Sequence, residues 1–538
     1  MGSLEIYFDE IKELRKYQKV SLDKIISGKN TLTIAPTGGG KSLIFQLAAL
    51  ELGGTTIVIS PLKALMVEQV EYLQSKRINA IAINGDMPFT EQRELLRQLK
   101  SNNPQLIYIS PERLFNYFFR EALIQSELDI KLIVIDEAHC ISQWGIEFRP
   151  DYGNIAPFIK FLNENNNEPI VFALTATIGE LARKDIELEF NINMENEVIS
   201  DGVIRNNFYL KFVEVNNENE KYEIMKDFID KNSLNKVIVY LYSQKKCEEL
   251  AEVYPNSDYY HAGMSGERKI EVMKKFKQDE IKVLFATTAF GMGINISNVD
   301  SVIHYHIPDS IEEYYQHVGR GARDKQLVSE CKCLMLWSET NFSRKASRIK
   351  GDTLSIEDLK KGFQHLGLEG KKNKKTYINY EEIFKNDGSY GSVNLSLIKR
   401  MFEKYGICNT VGDIYGNPHS ITFYKNTDLW TEVLNKIGNR NQFIIAEAKT
   451  GIKIEKLIQH VYEQELKGNV KKLPATERKL FLESNFDELP LDLADNIMRE
   501  SESVEEFKLA RIKELKDLCI EKDPHMYIAK ILNVPYNN

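Results

Sequence analysis

The sequence predicts an α/β protein with two parallel-sheet domains in tandem, followed by a mainly helical C-terminal region. Three observations carry this. Short apolar runs bounded by turn residues alternate with segments of helical period, at the spacing of βαβ units. That alternation stops and restarts once, near residues 198–206. Beyond residue 340 it ends, and basic helix-like sequence takes over.

In chain order, TLTIA (31–35), TTIVIS (55–60), AIAING (80–85), QLIYIS (105–110), KLIVID (131–136) and PIVFALTAT (169–177) read as buried strands. Their near-continuous apolar character suits a sheet covered on both faces. KVIVYLYS (236–243), SDYYHAG (257–263), KVLFATT (282–288) and DSVIHYHIP (300–308) form the second set. The expected layout is a first domain over 1–200 and a second over 201–340. A linker or helical connector covers 341–375, including the basic EGKKNKKTY (369–377). Residues 376–425 read as a winged helix. Its main helix carries Leu397, Ile398, Met401 and Phe402 at apolar spacing, and its hairpin turns at Gly416-Asn417. Residues 426–538 read as a helical accessory region.

At 538 residues, with 43% hydrophobic and 28% charged, the chain is an ordinary globular protein rather than a disordered or collagen-like one. No apolar run approaches the roughly 18 residues that span a bilayer, so no membrane association is expected. The N-terminal stretch shows no leader pattern, and six cysteines are too few for a disulfide scaffold. A cytoplasmic, reducing location is the expectation. The net charge of -8 is uneven: residues 340–480 carry 25 Lys+Arg against 16 Asp+Glu, and residues 481–538 carry 7 against 13. The basic middle is either a solvated face or a surface for phosphate backbone.

The chemistry lies in three pieces. APTGGGKS (35–42) follows a strand and precedes an apolar helix, the setting of a phosphate-binding loop. Thr37, Gly38, Gly39 and Gly40 would wrap backbone N–H groups around phosphates. Lys41 would reach the β and γ phosphates, and Ser42 would hold Mg²⁺. Asp136-Glu137 ends a buried strand, at the sheet edge where ligands bind. Asp136 would hold Mg²⁺, and Glu137 would orient or deprotonate the attacking water. Gln316, Arg320 and Arg323 lie in the second domain. On a helix the two arginines would face one way and stabilise charge on a transferring phosphoryl group. Together these pieces imply ATP held between two domains whose gap changes on hydrolysis.

The stretch DEAHCISQWGIEFRPDY (136–152) narrows the choice. With LRKYQ (14–18), SPLKALMVEQV (60–70), YISPERL (108–114), ALTAT (173–177), IRNNFY (204–209), YHAGM (260–264), ATTAFGMGIN (286–295) and YYQHVGRGARD (314–324), it resembles the RecQ family of superfamily 2 DNA helicases. The resemblance covers about residues 10–335 and implies two RecA-like domains. It implies that Gln18, near Arg15, reads adenine. It implies that Gln316, Arg320 and Arg323 complete the ATP site. Trp144, Phe148 and Arg149 would sense single-stranded DNA, since aromatic faces stack on any base at ~1–3 kcal/mol each. The bland alternative for Trp144 and Phe148 is core packing. Thr175, Thr177 and Thr287 match positions that touch the DNA backbone or link the domains. Lys399 and Arg400, with Lys404, would be phosphate contacts of the winged helix, or else the outer face of an amphipathic helix.

Three departures from the family pattern stand out. Ile146 replaces a histidine of the DNA-sensing loop. Gly321 and Ala322 are exchanged relative to Arg-Ala-Gly-Arg. The family's four-cysteine zinc module has no counterpart, because only Cys331 and Cys333 are close and both read as core residues of one strand. No structural zinc is expected. The implied activity is 3′–5′ DNA translocation and unwinding driven by ATP, on single-stranded and partly duplex DNA. The alternatives are a translocase that needs a partner docked on the C-terminal helices, an RNA helicase, and a nucleotide-gated scaffold.

Overall fold

The computed structural model describes residues 2–536, apart from 37, 62, 85, 86, 88, 115, 142–149, 201, 202, 291–295, 297, 325, 385–393, 475 and 476. Trp144, Ile146, Phe148, Arg149 and Thr37 therefore lie outside the described residues.

The first domain holds seven parallel strands: β1 (Thr31–Ile34), β2 (Thr55–Ile59), β3 (Ala80–Ile83), β4 (Leu106–Ile109), β5 (Ile130–Ile135), β6 (Ile170–Thr175) and β7 (Glu197–Ile199). Their order is β3-β4-β2-β5-β6-β1-β7. Strand residues alternate between two cores. Ile57, Ile59, Ile133 and Ile135 enter one, while Val58, Leu132 and Val134 enter the other. Helices cover both faces, which is why each strand is apolar throughout. The second domain repeats the plan with β8 (Phe208–Glu214), β9 (Val237–Tyr240), β10 (Ser257–Tyr260), β11 (Val283–Ala286), β12 (Ser301–His304) and β13 (Cys331–Trp337). The order is β10-β11-β9-β12-β13-β8, again parallel. Val203 packs in the first domain's core and Ile204 in the second's. β7 and β8, which the sequence reading missed, are edge strands.

The region after 340 departs from expectation in three ways. Residues 341–375 are no linker. Helix Ile356–His365 packs on helix Leu395–Lys404, with Gly362 so close to Ile398 that an added Cβ would lie 2.6 Å from its Cγ2. The basic segment enters a strand, β14 (Lys374–Asn379). Next, no hairpin turns at Gly416-Asn417. β15 (Cys408–Tyr415) instead pairs antiparallel with β18 (Arg478–Ser484), and β18 lies between β14 and β15. Pro418 opens a 3₁₀ turn that carries the chain away from a return strand. Finally, residues 426–538 do not form one accessory region. Helices Asp428–Ile437, Phe443–Thr450 and Ile454–Leu466 pack on the first domain, and Trp430, Phe443, Leu457 and Val461 join its core. A short pair, β16 (Thr422–Phe423) with β17 (Val470–Lys472), closes the insert.

The attachment is also polar. Asp413 is fully buried and accepts hydrogen bonds from Asn116 of the first domain, at 3.1 Å, and from Arg478. Arg478 also donates to the Glu112 carbonyl. Arg93 pairs with Glu465 at 2.5 Å.

The last long helix, Leu491–Leu518, runs 28 residues, about 42 Å at 1.5 Å per residue. The two helices Ile356–His365 and Leu395–Lys404 with β14, β15 and β18 form a third unit; Ala494 and Ile497 near the start of the long helix pack in its core, while Ile512, Leu515 and Leu518 near its end pack in the second domain's.

Because Trp430 is fully buried inside the first domain's core, Trp430→Ala should cost about 3–5 kcal/mol in denaturant unfolding. A loss below about 1 kcal/mol would mean the insert does not share that core.

Candidate active site

The phosphate-binding loop is shaped by its glycines. Gly38 (φ +74°) and Gly40 (φ +83°) adopt the left-handed conformation that favours glycine, and Gly40 caps helix Lys41–Leu52. Three groups from the preceding helix hold the loop. Arg15 Nη1 donates to the Gly39 carbonyl at 2.7 Å, Tyr17 donates to the same carbonyl, and Gln18 Nε2 donates to the Gly40 carbonyl at 2.9 Å. Lys41 Nζ donates to the Ala35 and Pro36 carbonyls at 2.9 and 3.2 Å. Ser42 stands in the first turn of that helix, half-buried.

β5 ends directly at Asp136. Asp136 accepts from Ser60 Oγ at 3.1 Å and from the Glu137 backbone N–H at 3.0 Å. Glu137 has φ +51°, a conformation costing a non-glycine residue ~1–2 kcal/mol, and it turns the chain sharply after the strand. Burial, then the neighbouring Glu137, pushes the Asp136 carboxyl up to about 7, while Lys41 pulls it down. Burial lowers Lys41 in turn, against both acids. A desolvated acid pair beside one ammonium is short of positive charge, and suits a divalent cation.

The second domain meets this site edge on. Gln316, on helix Ile311–Val318, donates to Thr177 Oγ1 at 3.0 Å and sits 3.3 Å from His139 Nε2. His139 Nδ1 lies 3.0 Å from Thr175 Oγ1 and 3.4 Å from Glu137 Oε2. Thr175 donates onward to the Thr177 carbonyl at 2.8 Å. These partners fit a His139 ring protonated at Nδ1, an assignment made from the hydrogen bonds. The chain of contacts runs from the acid Glu137 to a side chain of the other domain.

Arg320 and Arg323 are not on a helix, as the sequence predicts, but in the turn after it. Arg323 still reaches the phosphate loop: a Cβ built on Gly38 would lie 3.9 Å from its Cγ. Burial first, and then the neighbouring Arg320, lowers the Arg323 guanidinium to about 9, with Glu137 acting in the opposite direction. Arg205 braces the turn from behind, donating to the carbonyls of Gly321, at 3.0 Å, and Ala322. The exchange of Gly321 and Ala322 has a structural cause. A Cβ at Gly321 would lie 2.0 Å from Cys331 Sγ, while Ala322 takes the left-handed φ of +41°.

The remaining expected residues divide. Thr175 and Thr177 are buried, and Thr177 accepts the hydrogen bond from Gln316 of the second domain. Thr287 is buried at the end of β11, its N–H bonded to the Tyr260 carbonyl. Lys399 and Arg400 do not present an outward phosphate-binding face. Lys399 pairs with Glu403 at 2.9 Å, and Arg400 turns to Glu189 and the Gly153 carbonyl of the first domain. Lys404 pairs with Glu500. Cys331 and Cys333 are fully buried on β13, their sulfurs 3.7 Å apart. Sequence reasoning missed Tyr17, Ser60, His139 and Arg205 as site residues. All four stand inside the matched stretches, but only contacts reveal their work.

Two predictions follow from the geometry. Asp136 holds its proton more tightly folded than unfolded between about pH 4 and 7, so its contribution to stability falls as pH rises through that window. Asp136→Asn should flatten that slope in denaturant unfolding; a variant with the wild-type slope would contradict the cause given. Gly321→Ala should cost about 1–3 kcal/mol by overpacking, with Cys331→Ala restoring part. An unchanged unfolding midpoint would contradict the close approach.

Comparison with known proteins places these features. The DEAD/DEAH box helicase family matches residues 15–184, and the helicase conserved C-terminal domain matches residues 220–325. ATP-dependent DNA helicase RecQ of Bacillus subtilis is 41% identical over 310 residues, covering 57% of this chain and 51% of the relative. The probable ATP-dependent DNA helicase RecS of the same organism is 32% identical over 356 residues, covering 64% of this chain and 68% of the relative. The chain thus spans about half the length of the RecQ relative. Among solved structures, Mycobacterium smegmatis helicase Lhr bound to single-stranded DNA and AMP-PNP aligns with a TM-score of 0.52 at 20% identity, over 74% of this chain and 54% of that one. S. cerevisiae Dbp5 bound to RNA and ADP BeF3 aligns at 0.51 and 18%, over 64% and 89%. Both likenesses speak to the fold alone.

Proposed function

The chain belongs to the RecQ family of superfamily 2 helicases, and on that footing we propose that it is an ATP-driven DNA helicase. It translocates 3′–5′ along single-stranded DNA and separates duplex. The observation that carries the reading is Arg323 of one domain lying against Gly38 in the phosphate loop of the other. A nucleotide in that loop would touch both domains, so hydrolysis would change how they meet.

The residues divide the work. Gln18 and Arg15 hold the loop and stand where adenine would be read. Thr37 to Gly40 offer backbone N–H groups to the phosphates. Lys41 gives up two carbonyl contacts to take phosphate oxygens. Ser42 and Asp136 would hold Mg²⁺, whose chemistry when bound is to neutralise phosphate charge. Glu137 orients the attacking water, and Gln316, Arg320 and Arg323 meet the charge that develops on the γ-phosphoryl group.

The DNA contacts rest on Trp144, Phe148 and Arg149. Support comes from the far end of their loop, where Tyr152 donates to the Asp136 carbonyl at 2.7 Å. A strand that shifts the loop would tug directly on the acid. Thr287 is a further candidate contact. The third unit runs helix, strand, two helices, strand, strand, an order that supports a winged helix with an insert between its last two strands. Lys399 and Arg400 would touch DNA only after this unit leaves the first domain. A reducing, cytoplasmic location is in keeping with six cysteines in 538 residues, too few for a disulfide scaffold. A translocase waiting for a protein partner remains the second reading, though residues 426–538 are already engaged by both motor domains.

The test is steady-state hydrolysis with no nucleic acid, single-stranded DNA, duplex DNA and single-stranded RNA, with Lys41→Ala as control. We expect stimulation by single-stranded DNA above RNA, and loss of about 10³-fold or more in Lys41→Ala. Stimulation by RNA alone would overturn the substrate; turnover within about twofold of wild type in Lys41→Ala would overturn the site.

A further inference from the structure

The helix Leu491–Leu518 delivers a single cation into the seam between the motor domains. Arg511 is buried, at 8% exposure. Its Nη2 lies 3.0 Å from Glu312 Oε1, and its Nη1 lies 2.8 Å from Glu514 Oε2. Glu312 opens the helix that carries Gln316. Across the seam stands Gly179 of the first domain, two residues after Thr177. A Cβ built on Gly179 would lie 2.7 Å from Arg511 Nη2 and 2.8 Å from Glu312 Oε1. Three chain segments therefore meet there, and a methyl group at Gly179 would push the tips of Arg511 and Glu312 out of their present contact.

The helix end does not need Arg511 to stay attached, since Ile512, Leu515 and Leu518 pack in the second domain's core. What Arg511 supplies is charge. Without it, Glu312 and Glu514 would flank the same spot with no cation between them, and half-buried carboxylates repel strongly. Glu312 and Gln316 are four residues apart and share a helix face. A push on Glu312 is thus a push on the side chain that reaches Thr177 and His139. The turn holding Arg320 and Arg323 follows that helix directly.

We propose that Arg511 is a positioning residue of the hydrolytic cycle. Through Glu312 it sets the helix of Gln316 at the right height against the 175–179 loop, so that the arginine turn meets the phosphate loop. This rests on the ATPase reading above and adds the C-terminal helix to the machinery.

The experiment uses the full chain with Arg511→Ala, Arg511→Lys, Glu312→Gln and Gly179→Ala, at saturating single-stranded DNA. It reads kcat and KM for ATP beside each variant's thermal midpoint. Arg511→Ala and Gly179→Ala should lose on the order of tenfold to a hundredfold in kcat, the scale of a 1 Å misplacement. KM should change by less than about threefold, because the nucleotide is held by the first domain. Arg511→Lys should recover part of the loss, and Glu312→Gln should fall between. Should Arg511→Ala fail to fold, Gly179→Ala and Glu312→Gln decide alone. Values of kcat within about twofold of wild type in the folded variants would overturn the proposal. So would a loss confined to the thermal midpoint. If Lys41→Ala still hydrolyses ATP, the ATPase reading itself has failed, and the two failures are told apart.

Discussion

Asp136 and Glu137 are two carboxylates held side by side where water solvates them poorly. Burial alone would push a proton onto one of them, and like-charge repulsion adds to that push. Lys41 relieves part of the cost, and a divalent cation with nucleotide phosphates would relieve the rest. On the facing side, Arg320 and Arg323 are two cations crowded together, with the opposite need. The cleft thus carries buried acid on one wall and a close pair of cations on the other. A triphosphate with its metal satisfies both walls at once, which gives nucleotide binding a reason to draw the domains together. The parallel sheets serve this arrangement: β5 and β6 end at the acids and at Thr175, and the helix and turn after β12 present Gln316 and the arginines.

The rest of the chain conditions that closure. The insert between β15 and β18 shares the first domain's core, and Asp413 with Arg478 ties the third unit to Asn116 and Glu112. The third unit is therefore held against the first motor domain in this arrangement. The long C-terminal helix starts in that unit and ends in the second domain. A single continuous helix thus connects the two bodies. Lys399 and Arg400 likewise make contacts within the third unit and toward the first domain.

The motor domains were legible in the sequence because their physics is local. Fully buried parallel strands must be apolar throughout, and a phosphate loop must carry glycines at left-handed positions. Lys41 was expected from a glycine loop set between strand and helix, and Asp136 and Glu137 from their place at a strand end together with that loop. The region after residue 340 was not legible, because its pairing is long-range. No local signal tells β15 that its partner is Arg478–Ser484 rather than the residues after Gly416. Trp430 looks like any helix aromatic until it is seen in another domain's core. Arg511 lies in a stretch of ordinary charge pattern, and only the approach of Gly179 and Glu312 marks it out. Cys331 explains in one contact why glycine and alanine are exchanged in the arginine turn, a fact that sequence could register but not interpret.

The central claim is that the catalytic centre is shared, with binding built by the first domain and the rate supplied by the second. Single-turnover hydrolysis by Arg323→Ala, with ATP affinity measured on the same preparation, tests it most directly. The account predicts affinity within about threefold of wild type and a hydrolysis rate lower by on the order of 10³ or more. A variant that hydrolyses at the wild-type rate, or one that loses affinity while its bound-state rate stands, would contradict the shared centre.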